Sequence, residues 1–255
     1  MTCRDLRLAS LALPALLVLP CRAQPAPSFE VASVKLAQAG VRGHSIQPLP
    51  GRLHVSNATL GMLVAAAYRV YDFQISGGPQ WLNTDRYNIE AKAAGETKPA
   101  EAQLMAMLQK LLEERFDLQA HRETREAPTY ALEIGKIGPK FQPSKNSDEP
   151  PLFRVYQRRQ ITAARAPLSY LVEALSFVVG RPVVDKTGLD GKYDYKLEWT
   201  PDETQVRSDE SAPQVEGNVP SLASAIQEQM GLRLRSHKGP VEIVVIDRAE
   251  KASVN

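Results

Sequence analysis

Cysteine is almost absent from this chain of 255 residues, and the two that occur, Cys3 and Cys21, stand near its N-terminus. No disulfide framework can brace the rest, so its stability must come from burial. Histidine is scarce too: His44, His54, His121 and His237 are the four. None lies at ligand spacing from another His or Cys, and no H-E-x-x-H string occurs, so neither a metal nor a cofactor is expected. The formal net charge is only +2. With no basic stripe and no interleaved aromatics, nothing points to a nucleic-acid partner.

Catalytic strings are missing as well. There is no G-x-S-x-G and no Gly-rich loop that would cradle phosphate. Asp185-Lys186-Thr187-Gly188 resembles the start of the aspartyl-phosphate motif of ion pumps, but Leu189 replaces the next Thr. Lys186-Thr187-Gly188 also resembles a motif of penicillin-binding enzymes, yet no Ser stands three residues before a Lys. The simpler reading is a turn, with Gly188 and Asp190-Gly191 supplying tight backbone. The chain is therefore expected not to be an enzyme. The alternative is a hydrolase that assembles His121, Asp185 and a Ser between two units.

The N-terminus carries Arg4 and Arg7, an apolar run from Leu8 to Leu19, and then Cys21-Arg22-Ala23. A basic start, a short apolar core and small-x-small residues read as a secretory signal over 1–23, cleaved after Ala23. The run is too short for a spanning helix, which needs about 20 residues. Export to the periplasm or beyond is expected, with no membrane span after cleavage. An uncleaved anchor is the alternative, and a lipoprotein at Cys21 is disfavoured by Pro20.

A repeat is the main internal signal. Leu60, Leu63, Val64 and Ala66 match Leu168, Leu171, Val172 and Ala174 at an offset of 108. The same offset carries Ile75 onto Val183 and Tyr87-Asn88-Ile89-Glu90 onto Tyr195-Lys196-Leu197-Glu198. Leu108, Leu112, Phe116 and Leu118 match Leu222, Ile226, Met230 and Leu232 at an offset of 114. The expected architecture is α+β: two tandem diverged units, each with helices on one face of a small, mostly antiparallel sheet. The boundaries are 24–138 and 152–255, with a linker at 139–151 and a flexible insertion at 200–220.

Periodicity predicts four helices. Their stripes contain Leu60/Leu63/Val64/Ala67, Leu104/Met107/Leu108/Leu111, Leu168/Leu171/Val172/Leu175 and Leu222/Ala225/Ile226. Asn57 or Thr59 can cap the first, and Gly231 can end the last. Strands are predicted at Phe29–Leu36, Tyr87–Ala91 and Tyr193–Trp199. Leu118–Arg125 is expected to fold back on Thr129–Gly135 around Pro128. Leu232–His237 is expected to do the same with Val241–Ile246 around Pro240. The run Val241–Ile246 is apolar on both faces and should be central.

The candidate binding surface is the loop Ser76, Gly77, Gly78 and Trp81, where glycine allows close backbone approach and Trp offers stacking area. Arg86, His121, Arg122, Asp185 and Lys186 complete the candidate set. The expected partner is an unidentified envelope ligand or protein.

Several strings occur together: Phe29-Glu30-Val31-Ala32-Ser33-Val34-Lys35, Ile75-Ser76-Gly77-Gly78-Pro79, Leu112-Glu113-Glu114-Arg115-Phe116, Gly180-Arg181-Pro182-Val183-Val184-Asp185 and Lys238-Gly239-Pro240-Val241-Glu242. Together they resemble a Solibacter-type paralogous family of exported proteins, a domain of unknown function expanded in soil acidobacteria. Similar regions are sometimes fused to membrane metallopeptidases of the antibiotic-sensing type. The resemblance carries over no activity and no catalytic residue, and the fusion hints at a sensory role; the repeat and the missing catalytic strings lead to the expectation of a ligand- or partner-binding module. A looser similarity, in Asn57-Ala58-Thr59-Leu60, is to the assembly modules of secretins and TonB-dependent receptors.

Overall fold

The computed structural model describes residues 28–38, 40–41, 43–94, 99–145, 148–156, 159–200 and 220–252. The segment 1–23, expected to be a signal, and almost all of the 200–220 stretch lie outside them. The described residues form an α+β fold with four α-helices and three sheets.

The first sheet holds β1 (Phe29–Leu36), β2 (Ser45–Leu49), β3 (Arg52–Thr59) and β5 (Arg86–Ala93) in the order β1-β5-β3-β2. All its pairings are antiparallel. Strand β5 alternates exposed and buried residues, with Tyr87, Ile89, Ala91 and Ala93 turned inward, the period of a half-covered sheet. The third sheet holds β7 (Gln142–Pro143), β8 (Leu152–Tyr156), β9 (Gln160–Pro167) and β11 (Lys192–Glu198) in the order β7-β11-β9-β8. It repeats the first strand for strand. Strand β7 comes from the stretch expected as a linker.

Helices α1 (Leu60–Tyr68) and α2 (Glu101–Phe116) cover the first sheet, and α3 (Leu168–Val179) and α4 (Leu222–Met230) cover the third. Each follows from local chemistry. Thr59 caps α1 by accepting the Met62 N–H at 3.3 Å, and Ser221 caps α4 by accepting from Ser224. Asp117 ends α2 and Gly231 ends α4, both left-handed and 114 positions apart, the usual way to close a helix.

The central sheet corrects one expectation. There are no hairpins around Pro128 and Pro240. Instead β6 runs unbroken from Gln119 to Ile134 and β12 from Leu232 to Arg248, and the two pair antiparallel along their whole length. Short β4 (Ile75–Gly77) lies parallel beside β12, and β10 (Val183–Asp185) parallel beside β6. The register has two-fold character. Ile75 faces Val244, and Val183 faces Tyr130, so both partners are displaced by the offsets seen in the sequence.

The physical reason lies in what each end buries. Leu118 and Ala120 pack in the first core, while Tyr130 and Leu132 pack in the second. On β12, Leu232 and Leu234 belong to the second core, whereas Val244 and Ile246 belong to the first. A hairpin would force both ends of each strand into one core. Burying Val244 and Ile246 contributes roughly 1.5–3 kcal/mol each, which fastens the C-terminal strand to the other half. Pro128 and Pro240 sit at the waist, opposite Lys238 and Glu126. Neither β4 nor β10 reaches that point, so the ribbon has open edges, where proline is tolerated.

Candidate functional site

The residues singled out in the sequence fall into two places related by the same offset. Ser76 and Gly77 lie on β4 and pair with Val245 and Ile246. Gly77 has φ +77° and a Cβ there would stand 2.6 Å from the Ile246 carbonyl oxygen, so only glycine fits. Gly78 donates its N–H to that same oxygen at 3.1 Å. Trp81 packs against the first core, with the Lys251 ammonium 5.8 Å from its ring centre. Lys251 also pairs with Asp85 at 2.6 Å, and the Arg86 guanidinium donates to the Asn57 carbonyl at 2.8 Å.

His121 and Arg122 stand on β6 two strands from β4. His121 Nδ1 is 2.8 Å from Asp247, and Arg122 pairs with Glu242 while donating to the Tyr68 carbonyl at 2.6 Å. Asp185 ends the counterpart strand β10, opposite Leu132 near the other end of β6, and Lys186 follows it. The Asp185 carboxylate accepts from the Thr187 N–H at 2.8 Å and from its hydroxyl at 2.7 Å, which makes the turn. The Lys186 N–H donates to the Leu132 carbonyl, as Gly78 does to Ile246. His121 and Asp185 are thus kept apart and do not form a hydrolytic set. Among the described residues no group of His, Cys, Asp or Glu could hold a metal ion.

A site that sequence reasoning missed lies where α3 overhangs the edge of the third sheet. The buried stripe of α3 contains Leu168, Leu171, Leu175 and Val178. Its opposite face carries Tyr170, Glu173, Ala174 and Phe177. Between that face and the edge strand β8 runs a groove of about 530 Å³, floored by Phe153 and Val155 and closed by Tyr71 from the first half. A second recess, between β1 and α2, holds only about 190 Å³. Small-molecule sites occupy roughly 300–1,000 Å³; the first recess falls in that range and the second does not.

The walls are held from behind. The buried Ser176 hydroxyl donates to the Val172 carbonyl at 2.7 Å and accepts the Val183 N–H at 2.9 Å, fixing α3 to β10. Gln74 takes the Tyr71 N–H and donates to the Glu242 carbonyl, fixing the Tyr71 turn to β12. The Tyr71 hydroxyl donates to the Glu173 carbonyl at 3.2 Å across the two halves. Desolvation, with the Glu173 carboxylate nearby, raises the Tyr71 pKa, so the hydroxyl stays a donor. Phe153 and Tyr170 meet edge to face at 5.6 Å, and Tyr71 stacks on Phe73 at 5.1 Å.

Phe177 is 48 % exposed, Val155 41 % and Tyr170 37 %. These apolar side chains stand together and are partly exposed to water. Among the described residues the groove is lined by aromatic and aliphatic side chains and one carboxylate, that of Glu173. The sequence did carry a signal: α3 has a second apolar row, Tyr170, Ala174 and Phe177, opposite its buried stripe, and a helix apolar on both sides must cover itself twice.

Residues 61–249 match a protein family of unknown function, DUF3738. The chain belongs to that family. The match runs from α1 to β12 and takes in both sides of the groove, but leaves β1, β2 and β3 outside. Comparison with curated proteins and with solved structures gives no match. No helix among the described residues is long and apolar enough to cross a membrane.

Proposed function

We propose that this DUF3738 protein is an exported binding module whose ligand occupies the groove between α3 and β8. The observation that carries the reading is the half-exposed aromatic lining, a face costly to leave in water unless something covers it. Export is supported by the basic, short apolar and small-residue pattern of residues 1–23. A tandem duplication is supported by the offsets that relate the strand registers of the two halves. Under that reading the groove is a feature of the second copy, completed by Tyr71 of the first.

The direct test uses a neutral apolar fluorophore, N-phenylnaphthylamine, titrated into the protein. Saturable fluorescence enhancement is expected. Phe177→Glu should abolish it, while Val31→Glu, at an exposed apolar residue on β1, should leave it intact. Equal enhancement in both variants would remove the groove from consideration.

A further inference from the structure

We infer that the groove takes an extended peptide, which adds as a further strand to the outer edge of β8, places alternate apolar side chains against Phe153, Tyr170 and Phe177, and sets a basic residue opposite Glu173. The inference rests on the groove being the ligand site and names the ligand's class.

Among the described residues strand β8 is the last strand of its sheet and pairs only with β9. Its other edge carries backbone N–H and C=O groups with no strand beside them among the described residues. An open edge is a template for another extended chain. Natural sheets blunt such edges with proline, charge or short length, and the first half does so. By their pairing with β3 and β9, Ile46 and Pro48 of β2 occupy the places of Phe153 and Val155 of β8. Pro48 removes a donor from the first edge. In β8 the run Leu152-Phe153-Arg154-Val155-Tyr156 contains no proline and a single charge, and Leu152 and Tyr156 are 54 % and 43 % exposed.

The groove adjoins that edge. Phe153 and Val155 point under the overhang of α3, so an incoming strand would send every second side chain into the same space. A rigid ligand would use the pocket alone; a peptide uses the pocket and the strand edge together. Charge complementarity selects the peptide further. Among the described residues Glu173 is the one charged residue lining the groove. Its carboxylate makes no ion pair with another described residue, so a Lys or Arg in the added strand would supply its partner.

The test uses short fluorescein-labelled peptides of about seven residues, with Leu at alternate positions and one central Lys, titrated into the full protein by fluorescence anisotropy. Two further peptides are N-methylated on one or the other alternate set of backbone amides. Binding is expected for the parent. One methylated frame should lose at least about tenfold in affinity and the other should keep it, because only one set of amides faces β8. Replacing the peptide Lys by Glu should also cost about tenfold, and Glu173→Lys should reverse that preference. Glu173 is exposed, and an unchanged circular dichroism spectrum will verify that the variant folds.

If both methylated frames bind like the parent, strand addition is overturned while the groove reading survives on its dye binding. If the dye binds and no peptide does, the peptide class is overturned and the groove reading again survives. If neither binds, both fall.

Discussion

The two halves solve one backbone problem with opposite chemistry. Asn57 on β3 and Arg165 on β9 are counterparts 108 positions apart, each with positive φ (54° and 56°) at a break in the pairing register. In the first half the Asn88 side-chain oxygen accepts the Asn57 N–H at 2.8 Å, and the Arg86 guanidinium donates to its carbonyl. In the second half Asp194, the counterpart of Arg86, accepts the Arg165 N–H at 2.8 Å. Both bulge side chains reach back to the segment before the edge strand: Asn57 to the Val41 and Gly43 carbonyls, Arg165 to the Pro150 carbonyl and Glu149. The bulge is kept and the residues are not. The constraint is therefore on backbone path, which must carry β3 and β9 into α1 and α3, and many side chains satisfy it.

The largest test of the comparison asks whether the halves are independent at all. Phe116 and its counterpart Met230 are both buried, in different cores. Phe116→Ala should cost about 3–5 kcal/mol and Met230→Ala about 2–5 kcal/mol. Because β6 and β12 each traverse both cores, each variant should lower one shared calorimetric transition. Two separated transitions, with only one of them moved, would mean that the long ribbon does not couple the halves.

Next in size is the contrast between Gly77 and its counterpart Asp185. Adding a methyl at Gly77 meets the Ile246 oxygen in a backbone conformation unsuited to L-residues, so Gly77→Ala should cost about 2–3 kcal/mol. Asp185→Ala loses only the turn bonds to Thr187, about 1 kcal/mol. Urea midpoints at unchanged slope measure both. Equal losses would show that the two loops are under the same constraint.

A smaller effect of opposite sign is expected where the halves agree. Tyr87 and Tyr195 are counterparts, both buried, and neither hydroxyl has a hydrogen-bond partner among the described residues. Removing a buried unsatisfied hydroxyl should help. Tyr87→Phe and Tyr195→Phe should each raise stability by about 1 kcal/mol, read as a higher urea midpoint. A loss at either position would reveal a partner for that hydroxyl.

The helices were legible because their stripes and caps are local. Thr59, Gly231 and the Leu60 and Leu168 rows need no knowledge of the rest of the chain. The central run Val241–Ile246 was legible too, since a strand apolar on both faces must be covered. Strands β6 and β12 were not. Leu118 to Ile134 has the same alternation whether it turns at Pro128 or passes through, and what decides is which core each end joins, a non-local fact. The groove was hidden for another reason. A search for polar constellations selects residues such as Asp185 and His121, which the fold uses for turns and ion pairs. The exposed aromatics of α3 read as ordinary helix until β8 is placed beside them.

The smallest effect separates the two bulge clamps by pH. The Ser144 hydroxyl, 2.6 Å from Asp194, and the Arg165 N–H hold the Asp194 carboxyl below its ordinary range. A carboxyl whose folded-state pKa is depressed contributes stability that is fully present above its unfolded pKa of about 3.9. That contribution is lost as the pH falls through the depressed folded value. Asp194 is exposed, so solvent screening keeps the contribution small. Asp194→Asn should therefore lower the urea midpoint slightly near about pH 7, and the difference from the parent should vanish near about pH 2. The first clamp contains no carboxyl, so Arg86→Met should cost the same at both pH values. A deficit in Asp194→Asn that persists unchanged in acid would mean that geometry, and not charge, holds the second bulge, and the two clamps would then work alike.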